Sequence, residues 1–425
     1  MAFADKTARS LTGGRFFYGW IIVLITFMTS MITAGITGYG LSFFVLPMST
    51  DLGITRTEFS SVSLFRLVLM PVVPLLGILV DKKHGPRILL SVGGVIAGVT
   101  LIATATVQTL WQFYVIYGIV FGLAMLAMGG MLVGPAIISK WFIQRRGRAM
   151  AIGTMGISTG GVVIAPLAGW AISEYGWRTA WVILGIVVIF AITPISGLFM
   201  RRSPEDMDMY PDGESSNVES AGNMGANSEF PWTVRQASKT SAFWLILGSQ
   251  TLGFAALSPT LFHQVAYMQD KGLGLGAAAS IATLVALCAV ISKLPWGLLT
   301  ERIQVRWVLS LCTITAGLSL MIVVVSQDLA MFYVYAVLYG LMMGGYPTIM
   351  NVVWPTYFGR QNAGTIRGFV TPVSTIVGTV TPVFAGLMWD RLGSYDLAFT
   401  VFAISWVLAG IIMLVASQPK PPTSS

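Results

Sequence analysis

Long apolar runs recur along the chain, separated by short polar or charged turns. Stretches such as IIVLITFMTSMI near the start and VLAGIIMLVA near the end are apolar on every face. Membrane β-strands would alternate apolar and polar positions, so these runs predict helices. A hydrocarbon core about 30 Å thick takes roughly 20 apolar residues per helix. Twelve segments meet that requirement, at 17–46, 59–80, 88–107, 111–138, 148–172, 178–200, 240–268, 276–300, 307–326, 331–354, 365–388 and 394–417. The pattern breaks at 201–239, which is polar, rich in Ser, Asn, Gly and acid, and without apolar period. That stretch predicts a partly disordered linker. The expected organisation is one bundle of six helices over 1–200, the linker over 201–239, and a second bundle of six over 240–425.

Composition agrees with a bilayer. Of 425 residues, 55% are hydrophobic and 10% charged, against about 25% charged in soluble domains. The first apolar run lacks a small-residue cleavage site and is long enough to span, so it predicts a transmembrane helix, not a signal peptide. A net charge of +8 raises nucleic acid or anionic lipid as partners, but the distribution decides otherwise. With the N-terminus in the cytoplasm, 19 Lys and Arg fall on that side and only Arg56, Arg178, Lys271 and Arg391 on the other. This positive-inside bias predicts a multi-pass protein of the cell inner (plasma) membrane with both termini cytoplasmic, and no nucleic-acid partner.

Two basic residues remain inside spans, Arg66 and Lys293, while none of the 17 Asp and Glu lies deep in one. Cys288 and Cys312 fall within spans and read as packing residues. The glycines of GISTGGVV have no preceding strand and no Gly-Lys-Ser/Thr ending, so they read as helix-packing positions. No metal-ligand spacing or nucleophile–base pair is present, so neither a cofactor nor an enzyme is expected.

The two halves repeat each other. Gly147, Gly161, Gly169 and Gly176 each have a glycine 217 positions later, at Gly364, Gly378, Gly386 and Gly393, with Pro166 and Pro382 within one residue of the same offset. Gly77 and Asp81 are matched 220 positions on by Gly297 and Glu301. An even number of spans per half makes the repeat parallel, related by an axis along the membrane normal. That predicts two pseudo-symmetric bundles with a substrate site between them near the midplane, open alternately to either side.

The stretch GILVDKKHGPR, from Gly77 to Arg87, resembles the loop between the second and third helices of the major facilitator superfamily. The resemblance covers the whole chain in span count, central loop and repeat. It implies the major facilitator fold, an all-α membrane protein of twelve transmembrane helices, working as a monomer. Gly77 would let a neighbouring helix approach, and Asp81 would face a helix N-terminus, where negative charge is favoured. In the family that helix is the eleventh, and the loop holds the cytoplasmic side closed. Gly297 and Glu301 form a degenerate second copy. The plain alternative, that Lys82, Lys83 and Arg87 are only topology charges, leaves the glycines and Asp81 unexplained. Within the superfamily, FFYGWIIV, WFIQRRGRAMAIGTMGISTGGVV and HQVAYMQDKGLGLGAAASI are similar to the bacterial monocarboxylate-porter and oxalate/formate-antiporter group. This implies a small organic anion as substrate.

Lys293 stands four residues before Gly297, where members of that group place an arginine that binds the substrate carboxylate. An intramembrane cation is costly and is expected to line a watery cavity, although Lys293 could instead snorkel to the interface. Proton-coupled members place an aspartate one turn earlier, where this chain has Ala289. Arg66 shares a helical stripe with Met70, Pro74, Gly77 and Asp81. Three roles stay open for it: a second anion contact, an outer gate paired with Asp270 or Asp390, or snorkelling. His263 reads as a packed histidine or a proton site. Tyr39, Gln250, Tyr346 and Asn351 are uncharged polar groups in spans one, seven and ten, the cavity-lining helices of the superfamily. The expected function is a secondary or facilitative transporter of small organic anions, foremost monocarboxylates. Alternatives are a dicarboxylate or anion exchanger using both cations, and a non-transporting sensor on the same scaffold.

Overall fold

The computed structural model describes residues 17–54, 56–128, 132–213, 230–326 and 328–420. Among them there is no strand, and the architecture is all-α. The chain divides into two compact units, Met1–Glu229 with Arg360–Phe369, and Phe230–Gly359 with Val370–Ser425.

In the first unit, α1 (Gly19–Ala34) continues through a π-helical stretch, Gly35–Gly40, into α2 (Leu41–Leu52). The run ends at Gly53, whose φ of 64° suits a residue without a side chain. The stretch 59–80, expected as one helix, is segmented. It comprises α3 (Arg56–Ser61), a 3₁₀ turn Val62–Leu64, α4 (Phe65–Val68), a second 3₁₀ turn Met70–Val72, and α5 (Val73–Val80). Pro71 and Pro74 explain the interruption near its middle, since each lacks the N–H that would bond the preceding turn. There follow α6 (Gly85–Thr104) and α7 (Leu110–Phe113), the latter started by a Thr109–Gln112 capping box. A π-helical Tyr114–Phe121, α8 (Gly122–Met128) and α9 (Val133–Trp141) come next. Helix α10 (Arg146–Phe199) is broken at Gly176, with φ 77° and ψ 165°, between the spans expected at 148–172 and 178–200.

Helix α10 packs on α1 and α6 through glycines. A Cβ on Gly185 would lie 2.6 Å from the Gly98 carbonyl oxygen, and one on Gly98 equally close to that of Gly185. Such close backbone approach is the usual glue between helices in lipid, where burying apolar surface brings no gain.

The described first part of the linker carries defined turns. Residues 204–207 and 211–213 form 3₁₀ turns, and buried Asp212 accepts hydrogen bonds from the amides of Ile143, Gln144 and Arg145 at 2.8, 2.8 and 3.1 Å. A single carboxylate thus satisfies three amides ahead of α10, which offsets the entropy of ordering a polar segment. Helix α11 (Val234–Ala237) carries its own capping box, Thr233 with Gln236. Residues 214–229 lie outside the described residues.

The second unit holds α12 (Ser241–Asp270), α13 (Leu275–Arg302), α14 (Val305–Val325), α15 (Leu329–Phe358), most of α16 (Ala363–Leu392) and α17 (Asp396–Val415). Helix α13 packs on α15, and α14 on α15 and α17. Ten helices among the described residues are long and apolar enough to cross a membrane, and Met70–Val80 is a shorter apolar helix. Cys312 is buried and donates to the Met342 carbonyl at 3.1 Å, in keeping with a packing role.

Each unit carries the same brace with its charges exchanged. In the first, Arg178 pairs with Asp51 and also donates to the Val107 carbonyl at 3.4 Å. In the second, Lys271 lies 2.8 Å from Asp396 and donates to the Val324 carbonyl at 2.9 Å. The cation begins the last helix of its unit in one case and ends the first in the other.

Candidate functional site

Polar chemistry gathers in two places, one in each unit. The first surrounds Asp81. Its Oδ1 accepts from the Gly364 amide at 3.1 Å, and its Oδ2 from the amide and hydroxyl of Thr365, both at 2.6 Å. These groups form the first turn of α16, where unpaired amides and the helix dipole favour a carboxylate. Lys140 Nζ lies 2.6 Å from Asp81 Oδ1, with both side chains largely buried. Glycines permit this approach: a Cβ on Gly77 would sit 2.5 Å from the Gly364 oxygen and 2.8 Å from Gly368 Cα.

The network extends outward. Arg360 donates to the Lys140 carbonyl at 2.8 Å and pairs with Glu205. Arg202 donates to the Asp81 carbonyl at 3.3 Å and grips Asp206 with two bonds, at 3.1 and 2.7 Å. A polar cleft of about 380 Å³ lies among Asp81, Lys140, Arg202, Glu205 and Arg360. Burial alone would raise the Glu205 carboxyl, but the Arg360 guanidinium outweighs it and holds the group below its usual range.

Arg87, in the first turns of α6, makes no hydrogen bond or ion pair among the described residues; the cation on Asp81 is Lys140. Sequence reasoning treated Lys140, Arg202 and Arg360 only as topology charges and passed over Glu205. A usable signal was present: Lys140-Trp141-Phe142 and Thr356-Tyr357-Phe358 stand at one repeat offset. The loops after both are therefore related, and each should be searched for partners of the motif acid.

The second gathering lies in the second unit. Lys293 is 5% exposed, in the middle of α13. Its helix is pressed onto α15, where a Cβ on Gly340 would meet the Val285 oxygen at 2.6 Å and one on Gly345 the Trp296 ring. Trp296 donates to the Leu341 carbonyl at 2.8 Å. Pro295 lacks the N–H that would bond the Ile291 carbonyl, two positions before the cation. Lys293 is thus a largely buried cation on a helix packed closely against α15.

Gln250 is a hub. Its Nε2 donates to Ser374 Oγ at 2.8 Å, its Oε1 accepts from Trp354 Nε1 at 2.6 Å, and its backbone oxygen accepts from the Tyr346 hydroxyl at 2.9 Å. Three helices, α12, α15 and α16, are thereby joined. Tyr346 is fully buried, its ring edge-on to Trp406 at 4.8 Å, and Asn351 is nearly so. His263 Nε2 lies 3.0 Å from the Pro382 carbonyl, and its ring leans on Tyr395. A carbonyl only accepts, so Nε2 carries a proton in that contact. Gly297 is buried and Glu301 half-buried at the end of α13.

Tyr39 belongs to the first unit, in the π-helical stretch, with its ring over Gly161. Arg66 lies in α4, and its side chain falls outside the described residues, as does that of Asp390. Asp270, the other partner considered for Arg66, accepts from Trp389 Nε1 at 2.7 Å.

The family model described as Major Facilitator Superfamily matches residues 19–290 and 243–425. The chain belongs to the Major Facilitator Superfamily. Among curated relatives, it is 24% identical to "Monocarboxylate transporter 12-B" of Danio rerio, over 93% of this chain and 86% of the relative. It is 23% identical to "Monocarboxylate transporter 1" of Homo sapiens, over 94% and 84% of the two chains. Solved structures show the same major facilitator fold at low identity. The E. coli fucose:proton symporter superposes with a TM-score of 0.69 at 14% identity, covering 95% of this chain and all of the other. The human organic anion transporter MFSD10 gives 0.67 at 13%, covering 93% and 99%.

Proposed function

We propose that this superfamily member is a transporter of small organic anions, foremost monocarboxylates, working by alternating access. The observation that carries the reading is Lys293, a cation 5% exposed in the middle of a membrane-crossing helix. A buried charge in a bilayer is expensive unless it meets an anion or water. The names of the relatives supply the class of anion. Lysine offers a point charge without the planar fork of arginine, so it holds a carboxylate less strictly in orientation.

In this reading Asp81 gates. Bound to the first turn of α16, it favours the state closed on the cytoplasmic side, and substrate binding must offset those bonds before the state changes. The positive-inside bias of the loops supports a cell inner membrane with both termini cytoplasmic, and in this reading the monomer is the working unit. Tyr39, Asn351 and Tyr346 shape the path, while Arg66 serves either the anion or an outer gate.

Uptake of a labelled monocarboxylate into proteoliposomes tests the assignment. Lys293→Ala should abolish uptake while the protein still inserts and melts cooperatively; undiminished uptake by that variant refutes the site. Uptake driven by a pH gradient with no internal anion would mark symport, and a strict requirement for internal anion would mark exchange.

A further inference from the structure

A second cleft, of about 310 Å³, opens in the second unit where three membrane-crossing helices begin or end. Gln304, Val305 and Arg306 line it at the start of α14, Thr356 and Tyr357 at the last turn of α15, and Ser417 and Gln418 just past α17. Its walls are tied together. Tyr357 donates to the Ala416 carbonyl at 2.7 Å, and Gln418 Nε2 to that of Thr356 at 2.8 Å.

Arg306 is the charge of this cleft. Its Nε is committed to Gln304 Oε1 at 3.1 Å, and its guanidinium lies 5.2 Å from the Trp307 ring centroid. Its Nη groups make no hydrogen bond or ion pair among the described residues, so both remain available as donors. Arg302, in the last turn of α13, is exposed and does not line the cleft, and Glu301 is the sole carboxylate of residues 297–310. Planar guanidinium donors suit a phosphate.

The depth identifies the source. Helix ends mark the boundary between hydrocarbon and water, and a tryptophan ring prefers that level. Trp307 is 50% exposed, and Leu311 and Leu318 below it are 57% and 59% exposed, forming an apolar stripe down α14. A phosphate at Arg306 thus continues into a surface suited to an acyl chain. We propose that this cleft binds the phosphate of an anionic phospholipid, with Arg306 as its main donor and the α14 stripe along its chain.

The test uses the full chain in nanodiscs of phosphatidylcholine, with or without phosphatidylglycerol, read by lipid retention in native mass spectrometry and by melting temperature. Phosphatidylglycerol should be retained and should raise the melting temperature; Arg306→Gln should weaken retention about tenfold or more. Ser417→Asp sets an anion at an exposed rim position and should do the same without touching the core. Arg302→Gln should change little. Equal retention by the wild type and both cleft variants overturns the site. A rise produced equally by inorganic phosphate in phosphatidylcholine discs overturns the lipid as ligand.

Discussion

Lys140 Nζ stands 2.6 Å from Asp81 Oδ1, across 59 positions of sequence, on the carboxylate that also accepts from the first turn of α16. The cation and the helix start share one acid. Neutralising Asp81 therefore removes two partners together. Asp81→Asn should leave Lys140 as an uncompensated, largely buried charge, at a cost of about 3–5 kcal/mol. Thermal denaturation should show it, and Lys140→Met on the same background should recover part of the loss. A double variant no more stable than Asp81→Asn would mean that the pair is energetically idle.

Lys293 separates charge from geometry. If it holds a carboxylate, loss of one charge-assisted contact worth about 1.5–3 kcal/mol should raise KM roughly ten- to a hundredfold in Lys293→Gln. Lys293→Arg keeps the charge and should retain uptake within about tenfold, with sharper discrimination among carboxylates. Competition assays on both variants check the ordering, and equal KM values across the set would contradict it.

Glu205 makes a pH-dependent contribution with a definite sign. Its folded-state carboxyl is held below the usual 4.5 by Arg360 despite partial burial. The stabilisation from the pair is thus complete above that value and disappears as pH falls through the lower folded-state one. The residue is half exposed, so the effect should be at most about 1 kcal/mol. Glu205→Gln should melt slightly lower than wild type near neutrality, and the two curves should converge in acid. A gap that widens in acid would show that Arg360 is not the stabilising partner.

Gly77 is constrained by backbone, not by a movable side chain. A Cβ there would meet the Gly364 oxygen at 2.5 Å and Gly368 Cα at 2.8 Å. Gly77→Val should separate α5 from the start of α16 and lengthen the Asp81 bonds. Accessibility of a cysteine introduced at buried Ala363, in the first turn of α16, should rise in that variant, and unchanged labelling would argue against the close crossing.

Gln250 has two amide bonds and one backbone bond in place. Gln250→Leu strands the Trp354 indole donor, at about 1–3 kcal/mol, and removes the donor that Ser374 Oγ accepts from. A clear drop in melting temperature with KM unchanged would show that the hub serves structure; a large change in KM at equal stability would move Gln250 into the path.

Much of this protein was legible before any coordinates. Apolar runs longer than a bilayer is thick leave helix as the only way to satisfy the backbone. The glycines and acid of GILVDKKHGPR marked the loop that meets α16, and the lack of intramembrane carboxylates singled out Lys293. The interruption of 59–80 was also open to reading, since Pro71 and Pro74 stand in its middle, but apolarity alone concealed it.

What the chain could not disclose is which distant charges meet. Lys140 and Arg360 looked like any other loop cations, and Glu205 and Asp212 like solvated acids of a polar linker. The exchanged braces make the point most clearly. Arg178 with Asp51 and Lys271 with Asp396 occupy equivalent places, yet a residue-by-residue comparison of the halves sees opposite signs and no match. Periodicity reports which face of a helix avoids water, because that depends on local spacing. The choice of an ionic partner depends on distances of a few ångströms between segments far apart in sequence, and those distances exist only once the helices have packed.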